Sequence, residues 1–133
     1  MGYCISMDCN IKFKKNTKKK MVDAINALHA PEKLNEHGGG SSSTGEKWYS
    51  WVDTPPKGGF KSLEKALEAW RYRCDEDDSV YFEGEKLGDD EILWTTLAPF
   101  IAKDSFIQCT GEDGCVWRWV FNGKTMKEVH PTW

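Results

Sequence analysis

The sequence predicts a single α+β domain over residues 1–133: an antiparallel or mixed sheet with a C-terminal three-stranded meander and about three helices packed on one face. Three observations carry this. Tyr3 to Phe13 alternates apolar and polar residues without a break, the period of a half-buried strand. Three later segments repeat apolar residues at helical spacing. Asn122-Gly123 joins two alternating runs, a strong short-range hairpin signal.

The first strand places Tyr3, Ile5, Met7, Cys9, Ile11 and Phe13 on one side, about eleven residues in all. Asn16 or Thr17 then caps a helix whose stripe is Met21, Val22, Ile25 and Leu28, stopped by Pro31. Residues 35–47 read as a flexible Gly/Ser loop. Trp48 to Val52 read as a short aromatic strand, broken by Asp53-Thr54-Pro55-Pro56-Lys57-Gly58-Gly59. Ser62 caps a second helix that buries Leu63, Ala66, Leu67 and Trp70.

Asp75 to Asp78 form an acidic turn, and Val80 to Phe82 a short strand. Asp89 or Asp90 caps a third helix carrying Ile92, Leu93, Leu97, Phe100 and Ile101. Pro99 ends or kinks it near Ala98, because proline removes an intrahelical donor. Ser105–Thr110, Cys115–Phe121 and Lys124–His130 make the meander. In its middle strand Cys115, Trp117, Trp119 and Phe121 share one face, and Val116, Arg118 and Val120 the other. Strand 1 alternates rather than being apolar throughout, so one sheet face is wetter than in a doubly wound parallel sheet.

The 133 residues suffice for a real core. No run approaches the ~20 apolar residues that span a bilayer, and residues 1–20 lack an apolar signal core. A cytoplasmic protein with no membrane contact is therefore expected. Five cysteines, an odd number with no C-x-x-C pair, and three scattered histidines point to reduced thiols rather than a disulfide framework or a zinc site. Net charge is −3, but residues 1–35 hold seven lysines against three acids, net +4, and the remainder is net −7. The acidic body argues against general nucleic-acid binding.

No motif specifies catalysis: no nucleophile elbow and no phosphate loop occurs. Read as a calcium loop from Asp75, the acidic run has Val80 where glycine is needed and Lys86 where a bidentate glutamate is needed. Accordingly no catalytic residue, metal or cofactor is expected. The lysines Lys14, Lys15, Lys18, Lys19 and Lys20, with Lys12, have two readings: a solvated basic edge that discourages strand pairing, or an anion or nucleic-acid contact. Trp48, Tyr49 and Trp51 put aromatics on both faces of one short strand, and both faces cannot easily be core. With Arg118 they are the candidate partner contacts, since Trp, Tyr and Arg are the usual interface anchors. Asp75, Asp77 and Asp78 are a second candidate surface.

Lys61 to Arg71, Gly84 to Glu91 and Gly111 to Phe121 together resemble small bacteriophage and prophage accessory proteins of uncharacterised function, across roughly residues 60–125. The resemblance implies an inhibitor or decoy against host defence, anti-CRISPR-like, acting in the bacterial cytoplasm. The expected function is thus a binding protein that sterically blocks a host protein or nucleoprotein complex. The alternatives are a nucleic-acid or nucleotide-binding module using Lys12–Lys20, and a small nucleotide-acting enzyme.

Overall fold

The computed structural model describes residues 4–30, 32–33, 40–41, 47–49 and 52–130. Its main sheet joins β1 (Ile5–Asn10), β6 (Phe106–Gly111), β7 (Val116–Phe121) and β8 (Met126–Val129), in that order and antiparallel throughout. Between β1 and β6 come α1 (Lys18–Leu28), the two-residue strands β2 (Gly40–Ser41) and β3 (Lys47–Trp48), α2 (Leu63–Ala69), the hairpin β4 (Tyr72–Cys74) and β5 (Val80–Phe82), and α3 (Asp90–Leu97). The α+β architecture and the C-terminal meander are as the sequence predicts.

Strand alternation decides which side chains meet the helices. Ile5, Met7 and Cys9 of β1, Ile107 and Cys109 of β6, and Trp119 and Phe121 of β7 face inward, and in register Cys9 opposes Ile107 while Ile107 opposes Trp119. The α1 stripe Met21, Val22, Ile25 and Leu28 closes over this face with Leu63, Ala66 and Leu67 of α2 and Leu93, Trp94 and Leu97 of α3. Trp70, Trp94 and Trp119 are almost wholly buried. Each removes about 4–6 kcal/mol worth of apolar surface from water, an upper bound.

Caps and breakers act largely as predicted. Ser62 Oγ accepts the Lys65 amide at 3.2 Å. α3 ends at Leu97, and a 3-10 turn over Ala98–Phe100 takes in Pro99. At Thr17 the hydroxyl does not cap α1 but donates to the Lys14 carbonyl at 2.7 Å.

Three expectations need correction, and one strand goes unpredicted. The β1 ladder is six residues, not about eleven, because its partner β6 begins only at Phe106; beyond it Phe13 makes a lone bridge to Ile101. Cys115 is exposed in the β6–β7 turn instead of sharing the core with Trp119. Of the predicted strand 48–52, β3 covers only Trp48; Ser50 and Trp51 lie outside the described residues, as does most of the loop 35–47. The strand Tyr72–Cys74 has no counterpart among the predicted elements. Three residues directly after a helix are too few to show periodicity, and pairing with Val80–Phe82 creates them.

Beneath the hairpin lies a polar node. Asp90, buried, accepts from Arg71 Nη2 at 2.6 Å, Tyr72 Oη at 2.9 Å and the Gly88 amide at 2.8 Å. Arg71 adds a bond from Nη1 to the Lys86 carbonyl at 2.5 Å. Burial pushes the Asp90 carboxyl up, against the pull of the Arg71 guanidinium. Arg71 takes φ +74, a left-handed conformation costly for a non-glycine residue, and these bonds hold it there. Of the two predicted caps, Asp89 takes the N-cap position of α3, without a side-chain cap bond, and Asp90 is a core tie.

Candidate functional site

The outward face of the main sheet is where interaction residues gather. Its rows follow from the pairing register: Asp8, Gln108, Arg118 and Val129 lie side by side across the four strands, with Asn10, Phe106, Val120 and Lys127 in the next row. Phe106, Val116, Val120 and Val129 are half-buried, yet they stand apart from the apolar core under the other face. Arg118 is anchored among them. Its Nε donates to Gln108 Oε1 at 3.0 Å, and its guanidinium carbon stands 4.6 Å from the Phe106 ring centroid. An arginine held by a hydrogen bond and an aromatic ring loses little side-chain freedom when it meets a partner.

Charge divides this sheet lengthwise. One end carries Glu112 and Asp113 in the β6–β7 turn, where Glu112 Oε1 accepts from the Cys4 amide at 3.1 Å. At the opposite end Lys14 Nζ donates to the Gly123 carbonyl at 2.6 Å, beside Lys124 in the β7–β8 turn. That turn spans Asn122 to Thr125, with Asn122 Oδ1 accepting the amides of Lys124 and Thr125 and Gly123 at φ +92.

The other predicted contacts are placed as follows. Tyr49 is a correction: it is 1% exposed, its hydroxyl donates to the Leu28 carbonyl at 2.8 Å, and its ring stacks against Trp70 and His29. It belongs to the core because a pocket between α1 and α2 accepts the ring and a helix-end carbonyl accepts its hydroxyl. Trp48 sits in β3, and Trp51 lies outside the described residues. The acidic turn closes on its own neighbours. Asp75 takes Arg73 Nε at 3.1 Å, Asp77 takes the Ser79 amide at 3.1 Å, and Asp78 takes Lys18 Nζ at 2.6 Å. The Ser79 amide lowers the Asp77 pKa, and the Asp78 carboxylate raises that of Lys18.

The lysine run is split by these bonds. Lys18 belongs to the acidic turn and Lys19 pairs with Asp23 at 3.7 Å, whereas Lys14 reaches the β7–β8 turn. Lys15 and Lys20 are exposed. Phe106 and Gln108 are site residues that sequence reasoning missed. The alternation of β6 holds the signal, since both fall opposite the buried Ile107 and Cys109.

A groove of ≈ 440 Å³ runs between α1 and α3, lined by Ala24, Ala27, Leu28, Ile92, Thr95 and Thr96 among others. Lys33 and Glu91 complete its lining. Among the described residues no group of three or more His, Cys, Asp or Glu is placed to hold a metal ion, and no helix is long and apolar enough to cross a membrane. No known family, curated protein or solved structure matches this chain.

Proposed function

We propose that this chain is a non-enzymatic binding protein that covers a surface of a larger partner with the open face of its sheet. The observation that carries the reading is Arg118, fixed on Phe106 and Gln108 amid half-buried valines that the core does not use. Interfaces are built around such anchors, arginine with aromatic and aliphatic surface. The resemblance to phage accessory proteins makes the partner a host defence protein or nucleoprotein, blocked sterically in the bacterial cytoplasm.

Affinity capture from a bacterial lysate tests this with three baits: the wild-type chain, Arg118→Glu, and Lys65→Glu on the far side of α2. A protein retained by the wild type and by Lys65→Glu, and lost with Arg118→Glu, supports the reading. Identical captures from all three folded baits would sink it. The nucleic-acid reading is favoured by a separate observation, the company that Lys14 keeps.

A further inference from the structure

Four lysines from three distant stretches of chain converge on one corner of the sheet. Lys14 reaches the β7–β8 turn through its bond to the Gly123 carbonyl, and Lys124 is the next residue of that turn. A β-carbon built on Gly123 stands 3.7 Å from Lys103 Cβ, so Lys103 borders the same turn. Lys12 is tied to the Lys103 segment on both sides of its peptide: its amide donates to Ser105 Oγ at 3.1 Å and its carbonyl accepts the Ala102 amide at 2.8 Å. All four side chains are exposed, as are Lys15 beside them and Lys127, which lies across from Val120. Asp104 shares the corner, also exposed, and its amide is bonded to the Phe121 carbonyl at 3.1 Å. A chain of net charge −3 thus presents a local positive pole, in which Lys12, Lys14, Lys103 and Lys124 outnumber Asp104.

Against the lysines lies a slot of ≈ 320 Å³ lined by Lys103, Asp104, Phe106, Val120 and Asn122 among others. The Arg118 guanidinium stands over the Phe106 ring. The corner therefore sets a flat apolar slot and a stacking cation immediately beside exposed ammonium groups. A nucleotide within a strand has the matching pair of features, an apolar planar base beside a phosphate. Lysines are compact, mobile point charges that suit a phosphate backbone without demanding one geometry. A duplex keeps its bases stacked inside and has none free for the slot.

From this juxtaposition we infer that the Lys12–Lys14–Lys103–Lys124 corner binds single-stranded nucleic acid, its phosphates on the lysines and a base in the Phe106–Val120 slot. This goes beyond the protein-docking reading and is tested without any protein partner, so either can fail alone. The site differs from the run Lys14 to Lys20 that the sequence singles out, because Lys18 and Lys19 are engaged elsewhere.

Fluorescence anisotropy of the purified full chain with labelled twelve-residue oligo-dT, oligo-U and a duplex of equal length decides it. Single strands bind at 50 mM salt, more tightly than the duplex, and log affinity falls with log salt at a slope of about −2 to −3, as three or four phosphate contacts require. Lys14→Glu/Lys103→Glu/Lys124→Glu lowers that affinity about a hundredfold. Lys19→Glu/Lys20→Glu, which changes net charge elsewhere on the surface, lowers it less than threefold. Circular dichroism establishes that both variants are folded. Four results would each overturn the inference: no single-strand binding at 20 mM salt; equal losses in the two variants; tighter binding of the duplex; or displacement by polyglutamate as efficient as by unlabelled oligonucleotide, which would make the corner an acidic-protein contact.

Discussion

Acidification destabilises this fold through His29, and the structure gives the reason and the size. The imidazole sits edge-on to Tyr49, Phe60 and Trp70, with ring centroids 5.5, 5.6 and 5.8 Å away. Trp70 Nε1 donates to His29 Nε2 at 3.2 Å. An indole nitrogen can only donate, so Nε2 must accept and the ring must be neutral with its proton on Nδ1. Protonation would set two donors against each other in an aromatic box, and desolvation there lowers the pKa from 6.5 to about 4. The folded state thus resists a proton that the unfolded state takes near pH 6.5. Stability is complete above that pH, declines as the pH falls towards 4, and declines no further from this group below it. The gap between 6.5 and about 4 sets a ceiling of about 3.4 kcal/mol, of which about 2 kcal/mol is lost by pH 5. The ring keeps partial contact with solvent, which reduces the expected loss at pH 5 to about 1–2 kcal/mol. For a chain of this length that is a fall in melting temperature of about 3–8 °C. Urea unfolding of the wild type and His29→Gln at pH 7.5, 6.0 and 5.0 isolates the effect, because glutamine can accept from Trp70 but does not titrate. The stability difference between the two proteins narrows by about 1–2 kcal/mol as the pH falls. Parallel curves would refute the reasoning, since all other titrating groups are common to both chains.

Three further outcomes follow from single contacts. Asp90→Ala leaves Arg71, whose side chain is 17% exposed, without its carboxylate and costs about 3–5 kcal/mol in chemical denaturation; a loss under 1 kcal/mol would mean that water replaces the pair at no cost. Gly84→Ala places a methyl 2.6 Å from the Phe82 ring and 3.0 Å from Arg71 Nη1, so it lowers stability by about 1–3 kcal/mol, visible as a fall in the thermal midpoint. Tyr49→Phe removes the donor to the Leu28 carbonyl and costs about 1–2 kcal/mol, while partner capture from lysate is unchanged; loss of capture by a folded Tyr49→Phe would return Tyr49 to the interface.

Features that depend on local periodicity were readable in the sequence, and features that depend on convergence were not. The alternation of β1 and β7 announces the sheet and places Trp119 and Phe121 inward. Stripes at helical spacing announce α1 and α2, and Pro99 marks the end of α3. Tyr49 was misplaced because alternation assigns faces, not what covers them, and the cover comes from Leu28 and Trp70 across the fold. Asp90 looks like a capping acid since its position before an apolar run fits one. Only the left-handed turn at Arg71, which sends that guanidinium back under the hairpin, makes it a buried partner.

The lysines show the same division most sharply. A run of neighbouring charges draws attention, but neighbours on a helix diverge around its axis: Lys18 turns to Asp78, Lys19 runs along α1 to Asp23, and Lys14, before the helix, reaches across to Gly123. Lys103 and Lys124 are isolated in sequence and acquire partners only because β6, β7 and β8 return their ends to the β1 exit. Charge density on this surface is therefore created by topology rather than by composition. Electrostatic attraction between exposed groups decays over ~10 Å at ordinary ionic strength. A strand of phosphates consequently responds to the corner's local charge and not to the net −3 of the whole chain. By that argument acidic overall composition does not exclude a nucleic-acid contact where lysines outnumber acids locally, as Lys12, Lys14, Lys103 and Lys124 do beside Asp104.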